Sequence, residues 1–282
     1  MLNGCAYILT VDVGNTFIRF GLFAEDSAAA QECPLATCEI TTPSSITADE
    51  VRMRLVQVMA ALAADAGMPG ALVPAAAVLS CVVPALERPW KVALSRTCTG
   101  RVLTVGPGLK TGMPVHYDDP AEIGPDRIAD AVAARAVYGS PCIVIDLGTT
   151  TNIEVIDARG TFVGGVIAPG LALGARSLSA AAARLPQVEP SAPTHVIGRN
   201  TREAMRSGVV LGEVARIDGM LDMVLAEMRA TKAAGEGSVP IVITGDDAEA
   251  LAALVGHSLT VDDALTLRGL AELYHINQKP RR

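Results

Sequence analysis

At 282 residues the chain is long enough for two domains, each able to bury its own core. Its residues are 50% hydrophobic but only 3% aromatic, so that core must be built mainly of Ala, Val, Leu and Ile. A net charge of −7, from 23 basic and 30 acidic residues, argues against a broad nucleic-acid surface and favours a small-molecule partner.

The first predicted element is the apolar, β-branched run Ile8 to Val13, read as a buried strand. Gly14 permits a tight turn, and Phe17 to Phe23 resumes as a second strand folded back on the first. Asp12 is thereby left at a hairpin mouth beside backbone N–H groups and the Thr16 hydroxyl, a place that suits a phosphate and its cation. An ordinary hairpin turn fits the same residues. Cys33 to Thr41 reads as a third strand. Thr47 with Glu50 forms a capping box, followed by Val51, Leu55, Val58, Met59 and Leu62 at helical spacing. No residue from Ala66 to Leu86 is charged, yet Gly67, Pro69, Gly70, Pro74 and Pro84 punctuate the stretch. Ala75 to Val83 therefore reads as a buried strand rather than part of a membrane span. A helix through Leu86 to Leu94 and a strand over Arg101 to Val105 complete a first half of mixed sheet and helices.

Val105 to Pro120 is dense in Gly and Pro but lacks the P-loop spacing, so Lys110 has no phosphate cradle and the stretch is read as a linker or cleft-lining loop. Next, Gly124-Pro125-Asp126-Arg127 passes into an alanine-rich helix, with Asp126 in its first turn. A phosphotransferase acting on an alcohol needs a carboxylate to accept the hydroxyl proton and a fixed cation to orient an anionic acceptor; Asp126 and Arg127 suit these roles. They equally suit a plain helix start, with Asp126 capping and Arg127 solvated.

Cys142 to Thr150 repeats the opening pattern of strand, Asp, any residue, Gly and hydroxyl, about half a chain later, with Asp146 in the place of Asp12. Two equivalent hairpins suggest a duplicated fold. The pattern resembles the actin, hexokinase and Hsp70 superfamily of phosphotransferases. That resemblance implies an α/β protein of two actin/ribonuclease-H-like domains, residues 1–117 and 118–282, with both acids at the floor of a central cleft.

The later elements are plainer. Gly164 to Gly170 lines the cleft or forms a strand-to-helix turn, Leu171 to Leu185 is an alanine-rich helix, and Asn200 caps a helix with Glu203 at its third position. His116, His195, His257 and His275 show no ligand spacing and read as loop or surface residues. The six cysteines, Cys5, Cys33, Cys38, Cys81, Cys98 and Cys142, contain no C-x-x-C pair and read as buried reduced thiols. With no basic region before the first apolar run, the expected location is cytoplasmic.

Across the chain, Val105 to Gly112, Tyr117-Asp118-Asp119-Pro120, Gly124 to Arg127 and Asp146 to Thr149 come in the order and spacing of type III pantothenate kinases. The resemblance extends to Asp12 to Thr16, Thr47 to Glu50, Ser80 to Pro84, Gly164 to Gly170, Ile197 to Thr201 and Leu265 to Leu270. It implies ATP-dependent phosphorylation of pantothenate at its primary hydroxyl, the opening step of coenzyme A synthesis, by a homodimer. Carried over by position, Asp12, Val13, Gly14, Asn15, Thr16, Phe17, Ile18, Arg19 and Thr149 contact ATP. Asp126 is the base, kept ionised by Arg127. Tyr117, Gly124, Pro125, Asp126, Arg127 and Thr201 hold pantothenate. Asp146 binds a monovalent cation, K+ or NH4+, and Mg2+ travels with the nucleotide. Three positions depart from the family pattern: Pro125 replaces Ala, Thr150 to Glu154 alters the continuation after Thr149, and Asp246 replaces Gly after Thr244-Gly245. The last two motivate an alternative, a non-catalytic regulatory homologue; a kinase for another small hydroxy compound is the nearest enzymatic one. The absence of G-x-G-x-x-G after any strand argues against a dehydrogenase-type nucleotide binder.

Overall fold

Alternating apolar runs and amphipathic helices assemble twice into the same arrangement. A computed structural model of the chain describes residues 6–26, 32–69 and 72–278, so Cys5 and Gly70 lie outside the described residues. It divides into two compact units, one running to Val137 and taking in Ala264 onward, the other Tyr138–Asp263. The expected boundary after Tyr117 is thus displaced at one end, and the C-terminal segment belongs to the first unit.

The first unit holds β1 (Tyr7–Val13), β2 (Phe17–Ala24), β3 (Ala36–Thr41), α1 (Ala48–Asp65), β4 (Ala76–Cys81), α2 (Pro84–Thr97), β5 (Val102–Thr104) and α3 (Pro125–Tyr138). Its sheet runs β3-β2-β1-β4-β5, with β1 antiparallel to β2 and parallel to β4. Thr47 caps α1 through the expected reciprocal box with Glu50. Val51, Leu55, Val58 and Leu62 of α1 pack with Leu86, Trp90 and Leu94 of α2 over Leu9, Val11, Phe20 and Leu79 of the sheet. Pro89 lies inside α2, within its first two turns.

The second unit holds β6 (Cys142–Leu147), β7 (Thr150–Ile156), β8 (Phe162–Pro169), α4 (Leu171–Ala181), α5 (Thr201–Arg206), α6 (Gly212–Ala230), β9 (Ile241–Gly245), α7 (Ala248–Ala252) and β10 (Thr260–Val261). Its sheet, β10-β9-β6-β7-β8, repeats the first strand for strand, with β6 antiparallel to β7 and parallel to β9. The duplication read from the two Asp-x-Gly hairpins is therefore a duplication of whole sheets. Ile143, Ile145 and Ile153 pack against Val214, Ile217 and Leu221 of α6. Of the stretch read as a possible strand-to-helix turn, Gly170 holds that junction as N-cap of α4, whereas Gly164 and Gly165 lie inside β8, where the pairing with β7 shifts register and Gly164 takes φ +125°.

The last helix, α8 (Leu265–Ile276), returns to the first unit and packs on β1, β2 and β4. It lies so close to α3 that a Cβ on Gly269 would collide with the Ala129 carbonyl. Asn277, at its end, accepts from the Lys110 N–H at 3.2 Å and donates to the Lys110 carbonyl at 2.8 Å. The Gly/Pro-rich stretch from Val105 is consequently no linker between units but a loop fastened within the first, lining a cavity of about 420 Å³ with Pro125 and Ile128.

Of the described cysteines, Cys142 is buried, Cys38, Cys81 and Cys98 are partly buried and Cys33 is exposed; all are free thiols. Burial pushes Cys142 up to about 12 and Cys81 and Cys98 to about 11, so none of the three is a thiolate at neutral pH. His275 lies on α8 rather than in a loop, and His257 stands 3.2 Å from Asp222. Among the described residues no helix is long and apolar enough to cross a membrane.

Candidate active site

In the first unit an apolar strand carries an acid into a place largely shielded from water. Asp12, next to last in β1, is flanked in register by Arg19 of β2 and Ser80 of β4 and is only 8% exposed. Burial, reinforced by the charge of Asp126, lifts its carboxyl to about 6 against opposing pulls from the Ser80 hydroxyl and the Arg19 guanidinium. Among the described residues nothing hydrogen-bonds its buried Oδ1. A buried carboxylate oxygen without a donor is costly, and a cation is the partner that relieves it.

The turn after β1 is tied down from two sides. The Gly14 N–H donates to the Phe17 carbonyl at 3.0 Å, and a Cβ on Gly14 would lie 3.0 Å from that oxygen. Close approach, rather than a left-handed backbone, is what asks for glycine here. Thr42, just past β3, donates its hydroxyl to the Gly14 carbonyl at 2.8 Å and its N–H to the Thr16 carbonyl at 2.9 Å. Asn15 and Thr16 are thereby held exposed at the tip. Val13 and Ile18 turn into the core and have only main-chain groups to offer a ligand, while Phe17 is half-buried. The Arg19 Nε donates to Glu39 at 3.0 Å.

Asp126 lies in the first turn of α3, behind Pro125, whose ring suits the first helical position. Its Oδ1 accepts the Arg127 N–H at 2.8 Å. Gly124 leaves the room for this, since a Cβ there would collide with that oxygen. Arg127 is 5% exposed, which removes the plain reading of it as a solvated helix residue. Burial raises the Asp126 carboxyl and is the largest influence on it; the Arg127 N–H and guanidinium lower it. Arg127 therefore moderates, rather than reverses, an upward shift, and a carboxylate so shifted is the stronger base. Tyr117 is half-buried in the loop ahead of the short 3-10 turn Pro120–Glu122.

The second unit repeats the geometry with different chemistry. Asp146, next to last in β6, is flanked by Asn152 of β7 and Thr244 of β9 and is half-buried. Thr149 is half-buried in the turn, where the Gly148 N–H donates to the Thr150 carbonyl at 3.0 Å as Gly14 does to Phe17. Gly245, with φ +92°, runs against this turn: a Cβ there would strike the Leu147 carbonyl and come within 2.8 Å of Asp146 Oδ1. Asp246, the departure from the family pattern, donates its N–H to the Leu147 carbonyl at 2.5 Å, and so stands beside the turn. Thr201 is exposed at the start of α5, behind Asn200, whose Oδ1 accepts the Glu203 N–H at 3.0 Å. Helix capping accounts for Asn200 and Glu203 but gives Thr201 no part.

Three residues that sequence reasoning passed over contribute. Ser80 sits in a motif quoted only for its resemblance. Thr42 carries no local signal, because its partner Gly14 is distant in sequence. Glu213 is buried on α6 and accepts the Thr151 hydroxyl at 2.6 Å; an Arg three residues later was the hint available.

Comparison with known proteins agrees with this geometry. A profile of the type III pantothenate kinase family matches residues 8–223. The chain is 37% identical over 279 residues to a type III pantothenate kinase of Koribacter versatilis, covering 98% of this chain and 97% of the relative. It is 39% identical over 274 residues to type III pantothenate kinase 2 of Symbiobacterium thermophilum, covering 96% and 97%. A solved Baf family protein from Campylobacter jejuni is similar in fold, with TM-score 0.57 at 18% identity over 95% of this chain and 98% of that one. Two matched sheets, each ending an acid at the mouth of a glycine turn, and a likeness that runs the length of the sequence place the chain in the type III pantothenate kinase family.

Proposed function

We propose that this chain transfers the γ-phosphoryl group of ATP to the primary hydroxyl of pantothenate, yielding 4'-phosphopantothenate and ADP at the start of coenzyme A synthesis. The observation that carries the reading is Asp126, a shielded carboxyl raised by burial beside the buried Arg127 and close enough to Asp12 for their charges to interact. Asp126 accepts the hydroxyl proton as the oxygen attacks the γ-phosphorus and the bond to ADP breaks. Arg127 orients the acceptor's carboxylate, with Tyr117, Gly124, Pro125 and Thr201 completing the acceptor contacts.

In the first unit the exposed Asn15 and Thr16 offer main-chain N–H groups to phosphate oxygens, with Val13, Gly14, Phe17, Ile18 and Arg19 around them; in the second, Thr149 offers its hydroxyl. The orphaned Oδ1 of Asp12 suits Mg2+, which would screen the charge of the triphosphate. Asp146 and the Leu147 carbonyl present oxygens of the kind that hold K+ or NH4+, and Gly245 alone permits the close main chain there. A homodimer in the cytoplasm completes the proposal, and the exposed Ile167, Leu178, Val196 and Ile197 of the second unit supply apolar surface for association.

Purified protein given ATP, Mg2+ and pantothenate is expected to form phosphopantothenate, and faster in potassium than in sodium. No product in either salt would favour the regulatory homologue, and product from a different alcohol alone would redirect the acceptor assignment.

A further inference from the structure

A network in the second unit joins α6 to β7, which leaves the Gly148-Thr149 turn, and to the end of β8, which pairs with β7 beside that turn. Glu213, 4% exposed, accepts the hydroxyl of Thr151, itself 3% exposed, through Oε1 at 2.6 Å. Its Oε2 accepts from Arg216 Nη2, which also donates to the Pro169 carbonyl at 2.5 Å. Thr151 lies just beyond the turn on β7, and Pro169 ends β8 opposite Thr150. The next residue, Gly170, donates its N–H to the Thr149 carbonyl at 3.1 Å, and a Cβ on it would collide with the Gly148 and Thr149 carbonyls. Both arms of the network thus end on neighbours of the same turn.

The helix is built to deliver this carboxylate. A π-helical stretch, Ser207–Leu211, stands between α5 and α6, and Glu213 is the second residue after it. The extra residue in a π turn rotates everything after it by about 100° around the helix axis relative to an uninterrupted α-helix. Without it Glu213 would turn away from Thr151, and Arg216, three residues on along the same helix, would turn with it and leave the Pro169 carbonyl. Glu213 is buried while Arg216 keeps a side chain 34% exposed, and burying a carboxylate to hold a threonine is a poor way to gain stability alone, because its desolvation offsets most of the attraction.

We infer that Glu213 is a positioning residue for the nucleotide, fixing the Gly148-Thr149 turn through Thr151 on one side and through Arg216 and Pro169 on the other. The inference rests on the reading of Thr149 as an ATP contact. It concerns ATP alone, since neither arm reaches a residue assigned to pantothenate.

Thr151→Val removes the hydroxyl with almost no change of shape, and Thr151→Ser restores it; Glu213→Gln keeps an acceptor for Thr151 but loses the charge facing Arg216. Thr151→Val and Glu213→Gln are expected to raise both the Kd and the KM for ATP about tenfold, the effect of one hydrogen bond to a charged group, with the KM for pantothenate within about twofold of wild type. Thr151→Ser is expected to stay within about twofold in every constant. Thr149→Ala, measured alongside, separates the two readings. If it weakens ATP while Thr151→Val and Glu213→Gln do not, the positioning role is wrong and the nucleotide assignment stands. If Thr149→Ala leaves ATP unchanged, both are wrong. Equal losses for ATP and pantothenate, tracking a fall in Tm, would mean a purely structural network.

Discussion

The negative charge of Asp126 helps raise the Asp12 carboxyl to about 6, so the two acids of the first unit titrate as neighbours rather than as independent groups. A folded-state value above the ordinary 3.8 means that the folded protein holds this proton more tightly than the unfolded chain does. Stability from this group is fully present below about pH 4 and is lost as pH rises through about 6. Asp12→Asn keeps a neutral side chain at every pH. The variant is therefore expected to gain on wild type between pH 4 and pH 7.5 by roughly 3 kcal/mol at most, measured by urea unfolding without nucleotide. An equal difference at both pH values would show that Asp12 is not shifted.

The proposed binding of Mg2+ and ATP at Asp12 requires its carboxylate form. Their binding is expected to release a proton near pH 6, visible in calorimetry as a heat that scales with the ionisation enthalpy of the buffer. Affinity should fall as pH drops below about 6. Asp12→Asn is expected to abolish both effects.

Asp126→Asn keeps the shape and the acceptor for the Arg127 N–H but cannot take a proton. Turnover is expected to drop by about 10²-fold or more while the Kd for ATP stays within about threefold. An active Asn variant would remove Asp126 as the base.

Gly124→Ala tests the same carboxylate without altering its chemistry. The new methyl group occupies the space of Asp126 Oδ1 and must push it aside. Since small misplacements of a catalytic group are expensive, kcat is expected to fall about 10-fold to 100-fold. Tm should change little, because a side-chain carboxylate can yield where backbone cannot.

Asp246 is one of the three positions read as departures from the family pattern. Placed beside Leu147 at the end of β9, its carboxylate adds negative charge near the second glycine turn. Asp246→Gly is expected to tighten ATP by a few-fold, and more so at low salt, as a charge effect should. Unchanged affinity would put residue 246 away from the nucleotide.

Much of this was legible in the chain itself. Apolar periodicity, the Thr47 and Glu50 box, the proline stops and the repeated Asp-x-Gly hairpin are local or near-local signals, and each carries a direct physical meaning at short range. They sufficed for the central strands, for α1 and α3, and for the duplication; the resemblance of the ordered motifs to the family supplied the chemistry expected of Asp12, Asp126, Arg127 and Asp146. The strand through Gly164 and Gly165 was misread because a β-bulge and a turn ask for the same glycines.

Tertiary structure alone decided the rest, since burial and distant pairing have no short-range signature. That α8 returns to the first sheet depends on a glycine at 269 meeting a carbonyl at 129, and that the Asp12 turn is stiff depends on Thr42 reaching Gly14. Whether Asp126 is raised or lowered turned on the balance of desolvation against its neighbour Arg127, and desolvation prevailed. Composition and spacing name which groups can do chemistry; only packing sets the dielectric and the partners that decide in which protonation state they wait.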